Sequence, residues 1–214
     1  MKKEYRHYLL LLFWPFELTA FFLTERLALS RGYTVIHCPL DDAVPFCEIF
    51  IIPYVIWYPF WVFMLLYTMK FEVPVFVSFM KYLMITMAIA VTIYAVWPTG
   101  QDMWPEVFPR DNILTRLTGM IYRADCNTDV CPSEHVSTAF GVVFAAGRTK
   151  RFSNRKAMIF FWSEAILVAL SVAFIKQHSV LDVAAAVPLI LIGYFFSFRK
   201  DGRSGKQCKE GAPE

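Results

Sequence analysis

The sequence has 214 residues, of which 57% are hydrophobic and 18% charged, with 21 Phe, 10 Tyr and 6 Trp and a formal net charge of +3. Soluble domains carry about 25% charged residues, and a soluble globule of this length cannot bury so much apolar surface while leaving so few charges to cover it. The same composition excludes intrinsic disorder, which needs low hydrophobicity and high net charge. One domain embedded in a membrane is the class that remains.

Apolar runs near the ~20 residues needed to cross a ~30 Å hydrocarbon core fall at residues 8–25, 46–68, 75–97, 134–147, 157–175 and 179–198. The first run follows a basic MKKEYR start, as in a signal peptide, but Glu17 interrupts it and no small-residue cleavage site follows, so it reads as a retained span. The second contains W57-Y-P-F-W61, aromatic residues suited to interfacial packing. Between the third and fourth runs lies a polar segment, 98–133, long enough to be functional. The fourth run is short and opens beside a histidine. Beyond Arg199 the chain turns polar. No ten-residue blocks of alternating hydrophobicity recur, which argues against a β-barrel.

Lys and Arg set the orientation. With a cytoplasmic N-terminus, six spans put fourteen bases inside and six outside, with Lys81 within the third span. The segment 148–156 alone holds Arg148, Lys150, Arg151, Arg155 and Lys156. The fold expected is therefore all-α: a six-helix transmembrane bundle over 1–198 with both termini cytoplasmic, then a disordered cytoplasmic tail, 199–214. An integral, multi-pass place in a plasma membrane, bacterial by expectation, follows.

C126-N-T-D-V-C131 lacks the spacing of a zinc site; an outer-face disulfide and two free thiols are both compatible with it. Glu17 and Glu164 sit within apolar runs, either along a polar substrate path or as hydrogen-bonded structural carboxyls.

Two segments carry ionisable residues at membrane boundaries. In CPSEHVS, 131–137, Pro132 and Ser133 open a helix and put His135 in its first turn. In KQHSVLD, 176–182, His178 and Asp182 are four apart and share a helical face. In the six-span topology both helices start at the outer face, so both histidines lie on one side. Their helix N-termini would point partial positive charge at the same site, which favours an anion such as phosphate. A His backed by a carboxylate serves as nucleophile or base, and a second His protonates a leaving oxygen. Lys176 would add positive charge.

PSEH at 132–135 resembles the PSGH signature of the type 2 phosphatidic acid phosphatase (PAP2) superfamily. SVAFIKQHSVLD, 171–182, has the spacing of that superfamily's S-R-x5-H-x3-D signature, with Ser171, His178 and Asp182 in place. The KQHxxxD and PSxHV forms look closer to its inositol phosphorylceramide synthase-like branch than to the soluble acid phosphatases. The resemblance covers about residues 50–198 and implies a six-helix PAP2-like membrane bundle. It implies a metal-independent lipid phosphatase or phosphotransferase working through a phosphohistidine, with no cofactor. By that resemblance His178 is the nucleophile, Asp182 its orienting partner and His135 the general acid, with Ser133 and Ser171 assisting. The expected partner is a lipid phosphate in the membrane, not nucleic acid, met at an outward-facing site.

The departures remove cations. The nearest match to the superfamily's K-x6-R-P motif is WPTGQDMWP, 97–105, with Trp97 at the Lys position, Trp104 at the Arg position and Pro105 retained. Val172 replaces the Arg of S-R, and Glu134 brings negative charge into PSxH. Lys176, Arg110, Arg116 and Arg123 are the candidate replacements for binding phosphate. A catalytically weakened relative that holds lipid headgroups is the alternative to an enzyme.

Overall fold

The computed structural model describes residues 3–199, with side chains from Arg6. The tail expected over 199–214 lies, beyond Arg199, outside the described residues. A 3-10 stretch, Lys3–Leu12, runs into α1 (Phe13–Arg31). There follow β1 (Thr34–Val35), α2 (Pro39–Ala43), a 3-10 turn at Glu48–Phe50, α3 (Ile51–Phe71) and α4 (Val73–Val96). Then come β2 (Thr99–Gly100), α5 (Ile113–Ala124), α6 (Glu134–Ala146), α7 (Arg155–Phe174) and α8 (Val180–Phe198).

Five stretches among the described residues are long and apolar enough to cross a membrane: Arg6–Arg31, Glu48–Phe71, Val73–Val96, Arg155–Phe174 and Val180–Phe198. Their outer faces are apolar. Phe16, Phe22, Leu23, Ile159, Phe160, Leu191 and Phe196 are each more than half exposed, an arrangement suited to lipid contact and costly in water. The first helix runs past the expected end at residue 25 because nothing stops it before Gly32, whose φ of +84° suits glycine.

The fourth apolar run behaves differently. It folds as α6, whose 13 residues span only ~20 Å at 1.5 Å per residue, less than a hydrocarbon core. Helices α3, α4, α7 and α8 all pack against it. Protein rather than lipid surrounds α6, so its sequence is set by close packing. It carries Ser137, Thr138, Ala139, Gly141, Ala145 and Ala146, all buried. The Tyr82 ring wedges between Gly141 of α6 and Gly193 of α8, where added Cβ atoms would lie 2.4 Å and 2.7 Å from ring carbons. Its hydroxyl donates to Ser137 O at 2.8 Å.

Two pieces of the connecting segments are not anticipated by hydropathy. β1 and β2 form a parallel pair, Thr34 with Thr99 and Val35 with Gly100, joining the ends of α1 and α4. Helix α5 opens at Asn112, whose side chain accepts from Leu114 N and Thr115 N while Thr115 Oγ1 accepts from Asn112 N, a capping box. At the opposite end, Glu72 Oε1 accepts from Lys150 N at 2.9 Å and holds the basic turn 148–154 against the α3–α4 junction.

Candidate functional site

The site is built where α7 hands over to α8. Helix α7 ends at Phe174, and Lys176, at φ +58°, turns the chain back so that Gln177 N and His178 N both donate to Val172 O, at 2.8 and 3.0 Å. Ser179 caps α8: its hydroxyl accepts from Leu181 N at 3.1 Å, and Asp182 Oδ2 accepts from Ser179 N at 2.9 Å. A second carboxylate arrives from α2. Asp41, 3% exposed, accepts from Ser179 Oγ at 2.6 Å, from Val180 N at 2.8 Å and from Cys38 N at 2.8 Å. Burial pushes its pKa up, but these hydrogen bonds outweigh it and hold the carboxyl below the ordinary aspartate range.

His178 Nδ1 lies 2.9 Å from Val130 O and 3.4 Å from Asp182 Oδ2. A carbonyl only accepts, so Nδ1 carries the proton and the neutral ring presents its lone pair at Nε2. That nitrogen faces His135 Nδ1 at 3.3 Å. The His135 ring stacks on Tyr54, with centroids 4.9 Å apart, and tilts against Trp57 at 4.3 Å. Ser133 N donates to Asp182 O at 3.1 Å, locking the start of α6 to the start of α8, and Tyr94 OH donates to Pro132 O at 2.6 Å. His135, His178 and Asp182 are thus gathered at one end of the bundle. The arrangement offers an imidazole lone pair, a buried carboxylate behind it and a second imidazole in front.

Lys176, Arg110, Arg116 and Arg123, the basic residues expected to bind phosphate, do not line the space at the histidines. Lys176 Nζ donates to the carbonyls of Asp41, at 2.7 Å, and Val44. Arg110 pairs with Glu48 at 2.9 Å, and Arg116 with Asp111 at 3.0 Å on an exposed face. Arg123 borders a surface depression beside Phe108, Gly119 and Met120. Ser171 Oγ donates to Val168 O at 2.7 Å, and the Ser133 hydroxyl is buried without a partner. Val172 is fully buried in an apolar cluster with Ile51 and Tyr54. Trp104 stacks on Tyr122, centroids 4.4 Å apart, and its indole N–H donates to Gln177 Oε1 at 3.3 Å. Cys126 and Cys131 are free thiols, and burial pushes Cys131 up to about 12.

His135 and His178 form part of the wall of a cavity of about 680 Å³ between α1, α3, α4 and the 98–133 segment. Five carboxyl groups share that wall: Glu17 and Glu25 of α1, Asp125 and Asp129 of the 98–133 segment, and Glu134 of α6. Among its described lining residues Arg26 is the only Arg or Lys, and it is exposed. Asp125 Oδ2 accepts from Gln177 Nε2 at 3.3 Å, while Asp129, at φ +56°, is held by its own amide donating to Thr99 O at 2.7 Å. Burial pushes both Asp125 and Asp129 above the ordinary aspartate range. Sequence reasoning missed this convergence, and it missed Asp41. A Pro-x-Asp pattern after Cys38 signals the short capped helix carrying Asp41, but no local signal places that carboxylate on α8.

No family model matches the sequence, and no curated protein and no solved structure matches the chain. The class that fold and site define is therefore a helical bundle with membrane-length helices. At one end of it a histidine pair, His178 buried and His135 half-buried, meets an acidic, aromatic-walled cavity.

Proposed function

We propose that the chain is an integral membrane phosphoesterase acting on a lipid phosphate or diphosphate, with His178 as nucleophile, Asp182 as its orienting partner and His135 as general acid. The observation that carries this reading is His178 Nε2 at 3.3 Å from His135 Nδ1 with Asp182 Oδ2 3.4 Å behind the ring. In the first step the Nε2 lone pair forms a P–N bond as the P–O bond to the lipid breaks, and His135 gives its proton to the departing oxygen. In the second, water attacks the phosphorus, its proton returns to His135, and the P–N bond breaks to release phosphate. An acceptor alcohol in place of water makes the same chemistry a headgroup transfer. Because the two rings are in contact, His135 must turn aside before a phosphoryl group reaches Nε2.

The topology that goes with this reading is six crossings with both termini cytoplasmic, α6 completing the bundle as its shielded member, and the histidine end facing outward. The positive-inside bias of the sequence supports it.

A second reading, a headgroup-binding relative without turnover, is favoured by one observation: five carboxyl groups and a single Arg line the cavity at the histidines. Purified protein assayed for phosphate release from phosphatidic acid and from a lipid diphosphate in mixed micelles tests both. The phosphoesterase reading expects release that His178→Ala abolishes. Release that survives this substitution overturns the mechanism, and none from the intact chain favours the second reading.

A further inference from the structure

The cavity wall is rich in buried oxygen acceptors that nothing among the described residues satisfies. Glu17 is 7% exposed and its Oε1 has no hydrogen-bond partner. Asp129 is 5% exposed and both its carboxyl oxygens lack one; the neighbouring Thr24 hydroxyl donates instead to Phe21 O at 2.7 Å. Glu134 Oε1 is likewise buried and unpartnered. Burying carboxylates without donors is expensive, and these three come from different elements yet face one space. Among the described residues no group of three His, Cys, Asp or Glu is placed to hold a metal ion, so the acceptors form a charged wall rather than an ion-sized cage. Trp14, Trp57 and Trp61 line the same space, with their indole N–H groups buried and unpartnered. Trp14 and Trp61 are stacked at 4.9 Å.

We propose that this cavity takes the primary ammonium group of an aminoalkyl phosphate headgroup, with Glu17, Asp129 and Glu134 as acceptors. An ammonium brings N–H donors of the kind these orphaned acceptors lack, and indole faces stabilise a cation beside them. The indole N–H groups are donors of the kind phosphate oxygens take. A trimethylated ammonium has charge but no N–H, and leaves Glu17 Oε1 as it is now. A phosphomonoester without an amine brings only negative charge to an acidic wall. The proposal rests on the cavity being the substrate site of the proposed phosphoesterase for its biological sense, and its binding half stands without turnover.

The test is native mass spectrometry of the delipidated full chain with dioleoyl phosphatidylethanolamine, phosphatidylcholine or phosphatidic acid. Parallel arms offer soluble phosphoethanolamine and phosphocholine. The ethanolamine lipid is expected to be retained at least about tenfold better than the other two, the loss that follows from one missing charge-assisted hydrogen bond. Preference for phosphoethanolamine over phosphocholine in the soluble arm identifies the headgroup alone as sufficient, and preference confined to the lipid arm identifies a membrane source. Glu17→Gln and Asp129→Asn are each expected to erase the preference. Equal retention of the ethanolamine and choline forms in both arms overturns the proposal, as does an unchanged preference in folded variants. If the variants fail to fold, the wild-type ranking decides. The same measurement on His178→Ala separates the two claims: an amine preference that persists there stands even if no lipid phosphate is ever hydrolysed. Phosphate release by the wild type with no amine preference removes this proposal and leaves the phosphoesterase.

Discussion

Asp41 Oδ2 accepts a hydrogen bond from Ser179 Oγ at 2.6 Å, joining residues 138 positions apart. With Val180 N donating to the other oxygen at 2.8 Å, an internal carboxylate covers the N-terminus of α8. A free helix N-terminus attracts anions; this one already holds two, Asp41 and Asp182. The helix-dipole attraction for phosphate expected from the sequence is therefore satisfied from within at α8.

Replacing Asp41 with Asn removes a charged acceptor while keeping its shape. We expect a loss of about 1–3 kcal/mol, read as a lower unfolding temperature in detergent. Asp42→Asn, at an exposed pair with His37, should leave the temperature unchanged. The pH dependence has a definite sign. The folded pKa of Asp41 lies below its ordinary value of 3.8, so its contribution is fully present above that pH and is lost as the pH falls through the folded value. Wild type and Asp41→Asn should therefore converge in stability only in strong acid, and convergence near neutrality would count against the assignment.

Lys176 offers the sharpest test of the cation expected beside His178. Its ammonium donates to the Asp41 and Val44 carbonyls and does not line the histidine cavity. Lys176→Met should lower stability by about 1–3 kcal/mol, and any KM for lipid phosphate should stay as it is. A rise in KM with stability intact would return Lys176 to the substrate.

Hydropathy marks five of the helices because lipid-facing helices must be apolar along a full membrane thickness. It marks α6 less clearly for a physical reason: a helix enclosed by four others answers to packing, and its Gly, Ala, Ser and Thr carry little hydropathy. The two-residue strands are too short for any alternation to register. Among site residues, His178 and Asp182 are legible because a helix puts positions four apart on one face. Their meeting with His135 follows from two helices starting at one end. Glu17, Glu25, Asp125 and Asp129 share a cavity through tertiary packing of α1 against α4 and of the 98–133 segment beside them, and no sequence period encodes that. The predicted loop arginines fail to reach the cavity because nearer acids, Glu48 and Asp111, hold two of them.

Gly141 tests whether α6 is fixed by contact rather than by hydropathy. Any side chain there meets the Tyr82 ring, which is fully buried. Gly141→Val should destabilise by about 1–3 kcal/mol, the usual cost of overpacking, although it raises the hydropathy of α6. Tyr82→Leu in the same chain should restore part of the loss. Gly147→Ala, where the new atom sits 3.6 Å from its nearest neighbours, should change little. Tolerance of Gly141→Val in a thermal unfolding assay would mean that α6 can shift away from α4.

Trp104 occupies the position where the resemblance puts a phosphate-clamping Arg. Its indole already reaches Gln177, the residue before His178. An Arg side chain at that position is long enough to bring its guanidinium to the same neighbourhood. The substitution Trp104→Arg should lose the stack on Tyr122, at about 0.5–1.5 kcal/mol, and gain a positive charge near the histidines. At an effective dielectric near 20 a unit charge at ~4 Å contributes about 4 kcal/mol before screening, and a tenfold rate gain needs only ~1.4 kcal/mol. Under the phosphoesterase reading, phosphate release from phosphatidic acid should therefore rise at least about tenfold in Trp104→Arg, and His178→Ala in the same background should abolish it. If neither the wild type nor Trp104→Arg releases phosphate while both retain lipid, the histidine pair is a binding element, and the acidic wall, not a missing cation, defines what this protein holds.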